Sequence, residues 1–370
     1  MNKLFLIVGE ASGDLHGSNL IQALRVRKPS LKIEFWGGDL MEKTSGNRPK
    51  KHFKELAFMG FFEVVKNISK ILKNFKQCKK DILDFQPDAI VLIDYPGFNL
   101  RIAKWAKKEN IRVYYYISPK VWAWKEKRVY KIKKYVDQLF TIFPFETEFF
   151  ERFNYEVNYV GNPLVDAISN YRNTEKIVDS KETWNQTNKP IIALLPGSRK
   201  QEIRTKLPVM LEASKHFTEY QFVIAGAPSL PTEFYADIIK DNPIQLVFGK
   251  TYELLEKSTA ALVTSGTATL ETSLFRVPQV VCYIASPISY SIAKRLLKIK
   301  YISLVNLIFD EEFVRELIQN ECNVANLRKE LTSILPYGDK RETQLLNCDK
   351  LIQMLGNGSA SEKVASYIYP

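Results

Sequence analysis

A chain of 370 residues, 45% hydrophobic and 25% charged, has a globular composition and is too long for one typical core, so two domains are expected. Its formal charge of +12 points to an anionic partner, and no apolar run approaches the roughly eighteen residues of a membrane span. Dispersed basic residues and the lack of any recognition module exclude nucleic acid, while Cys78, Cys282, Cys322 and Cys348 form neither a metal spacing nor a disulfide framework.

The apolar run Leu4–Val8 predicts a first strand that begins too near the N-terminus to be a signal peptide, so a cytoplasmic location is expected. Gly9 to Gly17 follow as a glycine-rich loop, with a helix from about Leu15 to Arg25. The loop lacks the lysine of a P-loop and the spacing of a dinucleotide fingerprint, yet it sets Glu10, Ser12 and Asp14 beyond a strand end, where open α/β sheets bind ligands. A solvated turn is the plainer reading. His16, at the start of the helix, is expected to be structural or solvated.

Ile33–Gly37 predicts a second strand. At 100° per residue, Phe61, Val65, Ile68, Leu72 and Phe75 then share a helical face, with Lys66, Lys70, Lys73 and Lys76 roughly opposite. That face either packs on the first sheet or lies in a bilayer surface; with Phe62, these residues are candidate membrane or acyl-chain contacts. Ala89–Asp94 has the unbroken apolar character of a buried parallel strand, and Pro96-Gly97 forces a turn that leaves Asp94 at its tip. Strands at Val113–Ile117, ending in Ser118-Pro119, and at Leu139–Ile142 complete the first series.

Residues 170–189 are polar and aperiodic, as in a linker or peripheral helix. A second series runs through strands at Ile191–Leu195, Gln221–Gly226, Gln245–Phe248, Ala260–Val263 and Gln279–Tyr283, with helices from about Leu207 to Phe217, Pro208 in the first turn, and near Thr251–Lys257. Pro196-Gly197-Ser198-Arg199 and Ser265-Gly266-Thr267 are its loops at strand ends. A helix starting near Thr267 offers free N–H groups to a diphosphate, and Glu271, one turn on, suits the vicinal diol of a ribose. An ordinary capped helix with a solvated acid is the alternative. From Ser286 the pattern is mainly helical, beginning with a second basic amphipathic segment, Ser286–Lys300. The expected fold is therefore α/β, with two Rossmann-like domains facing each other across a cleft. No Asp-x-Asp motif is present, so Arg199, helix N-termini and hydroxyls are expected to neutralise a diphosphate without a metal.

Taken together, the motifs resemble the lipid-A-disaccharide synthase family, inverting glycosyltransferases of the GT-B type. The resemblance is carried by Gly9-Glu10-Ala11-Ser12-Gly13-Asp14, Met59-Gly60, Ile93-Asp94 with Pro96 and Phe98-Asn99, Tyr116 to Pro119 running into Val121-Trp122-Ala123-Trp124, Leu195 to Arg199, Ser265 to Glu271, and Tyr301 to Leu307. It implies transfer of 2,3-diacylglucosamine from its UDP conjugate to the 6-hydroxyl of 2,3-diacylglucosamine 1-phosphate, releasing UDP and a β-1,6 disaccharide phosphate. Asp94 matches the proposed general base, although Gly97 stands where the family pattern has a second acid. Glu10 either orients the acceptor or supports the base; Ser12, Asp14, Met59 and Ser118 fall in acceptor-side loops. Arg199, Ser265, Gly266, Thr267, Glu271 and Asn306 fall on the donor side. No cofactor is implied, and the partners are a UDP-sugar lipid, an acylated sugar phosphate and an anionic inner-membrane surface in a Gram-negative bacterium. The division expected is 1–168 for the acceptor domain, 169–345 for the donor domain, and a helical segment, 346–370, returning to the first. The oligomeric state stays open. A soluble UDP-sugar glycosyltransferase or a UDP-N-acetylglucosamine epimerase would share the donor loops but needs no aromatic–lysine helix; a non-catalytic membrane scaffold would need only that helix.

Overall fold

A computed structural model describes residues 1–56, 68–123, 125–175, 187–240, 242–286, 290, 300–356 and 358–370. The chain forms two compact units, one of Met1–Asp166 with Gly358–Pro370 and the other of residues 167–357.

In the first unit, β1 (Lys3–Ile7), β2 (Lys32–Gly37), β3 (Lys51–His52), β4 (Ala89–Ile93), β5 (Arg112–Tyr116), β6 (Gln138–Thr141) and β7 (Asn158–Tyr159) form a parallel sheet in the order β3-β2-β1-β4-β5-β6-β7. Because β1 pairs with β2 on one side and β4 on the other, the chain reverses its direction of travel between β1 and β4. Loops leaving those two strands splay apart and open a crevice at their C-terminal ends. Gly9-Glu10 and Asp94 stand there. Alternate side chains feed two cores. Leu4, Leu6, Val91 and Tyr114 pack under α1 (Ala11–Arg27), whereas Phe5, Ile7, Ile90 and Leu92 pack on the opposite face.

Helix α2 (Asp39–Ser45) follows β2, and α1 starts four residues earlier than its apolar pattern suggested. Glu10 takes the extended conformation of an N-cap, and Gly13 packs against Val8, so Ser12 and Asp14 belong to the first turn. Helix α3 (Ile68–Phe85) turns Ile71, Phe75, Cys78, Ile82 and Phe85 to the core. Phe75 stacks on Phe98 with ring centroids 4.3 Å apart, which makes it a packing residue, while Leu72 remains 54% exposed. The expected apolar stripe is thus rotated, since a register of 71, 75, 78, 82 and 85 satisfies the sheet and leaves Leu72 to one side. Met59, Phe61, Phe62 and Val65 lie outside the described residues, as does the side chain of Ile68.

Helices α4 (Pro96–Ala106), α5 (Val129–Tyr135), α6 (Pro144–Glu151) and α7 (Pro163–Glu175) continue the chain. The polar stretch from 170 therefore begins as the end of α7, and residues 176–186 lie outside the described residues.

The second unit repeats the plan. Strands β8 (Ile191–Leu195), β9 (Gln221–Gly226), β10 (Gln245–Phe248), β11 (Ser258–Thr264), β12 (Gln279–Tyr283) and β13 (Glu316–Ile318) pair in the order β10-β9-β8-β11-β12-β13, all parallel, with the reversal between β8 and β11. Its helices among the described residues include α8 (Lys200–Ser214), α9 (Thr232–Ile239), α10 (Thr251–Lys257), α11 (Thr267–Leu274), α12 (Leu304–Phe309), α13 (Val324–Ile334) and α14 (Arg341–Leu355). Helix α8 starts at Lys200 rather than near Leu207, with Pro208 in its interior. Burial of Ile203, Leu207, Met210 and Leu211 outweighs the one backbone bond that Pro208 removes. The three-residue β13 was too short to stand out by its pattern.

After α14 the chain re-enters the first unit as α15 (Ala360–Ile368). Asp166 caps this helix, accepting from Ala360 N (3.2 Å) and Ser361 N (3.1 Å). Val364, Ala365 and Ile368 pack with Leu20, Ile21 and Leu24 of α1. Among the described residues, no helix is long and apolar enough to cross a membrane.

Candidate active site

In the first unit the candidate site at the C-terminal end of the sheet is built around Asp94. Its N–H donates to Tyr116 O (3.0 Å), extending the β4–β5 ladder by one residue. The backbone then turns sharply: Asp94 has φ 46° and Tyr95 φ 50°, two successive non-glycine residues in the left-handed region. Such residues cost about 1–3 kcal/mol each and persist only where the surroundings hold them. Here the Asp94 carbonyl accepts from Asn99 Nδ2 (2.8 Å) and from the Tyr115 hydroxyl (2.6 Å). The Tyr95 ring presses on Gly9 so closely that a Cβ there would lie 2.2 Å from it, which only glycine permits.

Asp94 is intermediate in exposure as a residue, and its carboxyl pKa is pushed up to about 6, first by burial and then by the charge of Glu10; Lys120 and the Tyr95 N–H pull the other way. Two acids and one lysine thus share this corner. Glu10 accepts from the Ser12 hydroxyl (2.8 Å), and both residues lie toward solvent.

Asp14 does not face the crevice. It is 3% exposed and accepts from Gly38 N (2.7 Å), Leu40 N (3.0 Å) and Met41 N (3.2 Å), capping α2 from a helix 24 residues upstream. Asp14→Ala leaves three N–H groups without their partner and is expected to destabilise the protein by about 3–4 kcal/mol, measured by urea unfolding. Activity per folded molecule should be kept. Unchanged stability with a raised acceptor KM would instead make Asp14 a ligand. Ser118 is likewise buried, its hydroxyl donating to Pro119 O (3.3 Å). The segment after it is anchored by Glu146, which accepts from Trp122 Nε1 (3.2 Å) and from the Ile142 and Phe143 N–H groups (both 3.0 Å). Burial pushes the Glu146 pKa up to about 7. Trp124 lies outside the described residues. His16 is buried, and that burial lowers its pKa to about 4, so it stays neutral.

The second unit brings two loops together at its own reversal point. Gly197, after β8, abuts β11: a Cβ on it would lie 3.4 Å from Thr264 Cγ2. Arg199 is the N-cap of α8, with a side chain 60% exposed and 3.5 Å from Glu202. After β11, Gly266 has φ 147°, a conformation open to glycine, and begins α11 with Thr267 exposed at its first position. The space beside Gly266 is open, as a site where a ligand approaches backbone requires. The Ser265 hydroxyl donates to Ile302 O (2.8 Å), so it ties this loop to the 301–306 segment as well as lining it.

Glu271 stands one turn along α11. Burial raises its pKa, and the Tyr252 hydroxyl donates to its Oε1 (3.1 Å), opposing that rise. Tyr252 was not evident as a partner, because α10 precedes Glu271 by a whole strand. Tyr252→Phe is expected to raise the donor KM about threefold to tenfold, the worth of one charge-assisted hydrogen bond, with kcat little changed. An unaltered donor KM would remove Tyr252 from the site.

Asn306 is not positioned to meet a ligand. It is fully buried, its Nδ2 donates to Val314 O (2.8 Å) and Glu316 Oε1 (2.9 Å), and its Oδ1 accepts from Val314 N (2.8 Å). Glu316 also accepts from Ile302 N, Ser303 N and the Ser303 hydroxyl. Asn306 therefore shapes the segment that Ser265 grips.

Comparison with known proteins agrees with this plan. A family model described as lipid-A-disaccharide synthetase matches residues 4–367. The lipid-A-disaccharide synthases of Syntrophus aciditrophicus and Geobacter metallireducens are 38% and 35% identical, over 98% and 99% of this chain and 96% of theirs. Among solved structures, UDP-GlcNAc 2-epimerase from Neisseria meningitidis bound to UDP-GlcNAc has a TM-score of 0.72 at 14% identity, over 99% of both chains. The glycotransferase of kitacinnamycin has a TM-score of 0.66 at 10% identity, over 99% of this chain and 98% of that one. The likeness to these structures is one of fold alone.

Proposed function

The chain belongs to the lipid-A-disaccharide synthetase family, and from that premise we propose how its residues transfer 2,3-diacylglucosamine from the UDP conjugate to the 6-hydroxyl of 2,3-diacylglucosamine 1-phosphate. One observation carries the mechanism: the Asp94 carboxyl stands at a sheet reversal point, its pKa raised to about 6 by burial and Glu10. A base with that pKa is ionised at neutral pH and still basic enough to take a proton in the transition state. Asp94 removes the proton from the attacking hydroxyl, inversion follows at the anomeric carbon, and UDP departs. Glu10 orients the acceptor, and Lys120 meets its anionic end.

On the donor side, negative charge grows on the leaving diphosphate. Arg199, the α11 N-terminus and Thr267 neutralise it, without need of a metal. Glu271 holds the ribose through Oε2, with Tyr252 fixing Oε1. Both substrates are lipids with anionic heads, so the enzyme is proposed to work at the cytoplasmic face of the inner membrane of a Gram-negative bacterium. The +12 charge and the α3 lysines Lys70, Lys73, Lys76, Lys79 and Lys80 support this reading.

The test is product analysis in mixed micelles, without added metal, from the two lipid substrates. Disaccharide phosphate and UDP in equal amounts are the expected outcome. Turnover of UDP-N-acetylglucosamine with no product from the lipid pair would overturn it.

A further inference from the structure

We propose that Asn99 and Tyr115 are positioning residues for Asp94, an inference that rests on the reading of Asp94 as the base. The carbonyl of Asp94 uses both of its lone pairs on these two side chains, Asn99 Nδ2 at 2.8 Å and the Tyr115 hydroxyl at 2.6 Å. Both donors are fully buried. Fixing that carbonyl fixes the peptide plane between Asp94 and Tyr95, and with it the direction in which the Asp94 carboxyl leaves the chain.

The need for such a clamp is visible in the backbone. With both Asp94 and Tyr95 left-handed, the turn is costly and would relax toward an extended strand end if unsupported. Relaxation would swing the carboxyl away from the crevice. Asn99 does more than brace one residue: its Nδ2 also lies 3.3 Å from Ile93 O and 3.5 Å from Ile7 O, at the C-terminal ends of β4 and β1. Those are the two strands whose loops carry Asp94 and Glu10. One amide group therefore sets the spacing of the two acids. Its Oδ1, by contrast, is buried without a partner among the described residues, so the N–H groups make the contacts described. The third constraint is the stack of Tyr95 on Phe98, with centroids 5.5 Å apart, which presses the turn from the α4 side.

Tyr115→Phe removes one hydroxyl, and Asn99→Leu replaces the amide by an apolar group of the same branching and heavy-atom count. Each is expected to lower kcat about tenfold to a hundredfold, the scale of a misplacement of about 1 Å, with both KM values within about twofold of wild type. In an Asp94→Asn background neither should lower kcat further, because the group they position is no longer a base. A merely structural role would behave differently: the melting temperature would fall and the same fold-loss would recur in the Asp94→Asn background. That recurrence, or a full kcat for folded Tyr115→Phe in an enzyme that Asp94→Asn inactivates, overturns the proposal. Should Asp94→Asn itself remain fully active, the assignment of the base fails instead. The milder Tyr115→Phe, which deletes a single oxygen, decides the matter if Asn99→Leu does not fold.

Discussion

Asp94→Asn is expected to lower kcat about 10²–10⁴-fold, the usual worth of a general base, while leaving both KM values nearly unchanged. Asparagine keeps the shape and can still accept from the hydroxyl, but its amide oxygen cannot take the proton away. In the wild-type enzyme, the acid limb of kcat/KM should fall as pH drops through about 6, where the Asp94 carboxyl becomes protonated, and the asparagine variant should lose that limb. Stability moves in the opposite sense. A carboxyl whose folded pKa exceeds its ordinary value of 3.8 takes up its proton more readily when folded, so it favours the folded state at low pH. That contribution fades as pH rises from about 4 to 6 and is gone above 6, where the buried charge is a net cost. Asp94→Asn should accordingly melt no lower than wild type at pH 7, which separates a chemical defect from a folding one. An active variant with an unchanged acid limb would move the base to another residue, Glu10 first.

Arg199→Ala should cost about 10²–10³ in kcat/KM for the donor, as removal of one preorganised donor to a growing oxyanion does elsewhere. The side chain is more exposed than buried, and its ion pair with Glu202 at 3.5 Å is a surface pair of small energetic worth. Melting temperature should therefore stay within a degree or two, in contrast to Asp14→Ala. Arg199→Lys is expected to recover only part of the loss, because an ammonium lacks the planar fork that spans two phosphate oxygens. A variant within about threefold of wild type would mean that the α11 N-terminus carries the diphosphate alone.

Much of the frame was legible in the sequence, for identifiable reasons. Ala89–Ile93 is apolar on both sides because both faces of a parallel strand are covered, and Pro96-Gly97 marked where it had to turn. The same reasoning located Gly197 and Gly266 at strand ends. What stayed hidden depends on contacts between distant segments. Asp14 looked available because its loop ends a strand, but its carboxylate is taken up by N–H groups in the β2–α2 turn. Asn306 turns inward because Glu316, in a strand too short to detect, holds the facing backbone. Leu72 gave way to Ile71 through a one-position shift in the helical register, a difference periodicity resolves poorly when both stripes are apolar. Asn99 was visible as part of a motif, but only the left-handed turn at Asp94 and Tyr95 gives its amide a purpose.

The docking of α15 onto α1 also governs how the protein is made. Residues 1–166 leave the ribosome long before Val364, Ala365 and Ile368 exist, so the side of α1 that carries Leu20, Ile21 and Leu24 lacks part of its cover at that stage. At about 5–20 residues per second, synthesis of the intervening segment takes roughly 10–40 s. Over that interval the nascent chain bears an incomplete apolar surface, while residues 167–357 emerge able to close a core of their own. Only when Ala360 and Ser361 reach the Asp166 carboxylate can the last helix seat. The unit translated first is the last to be finished.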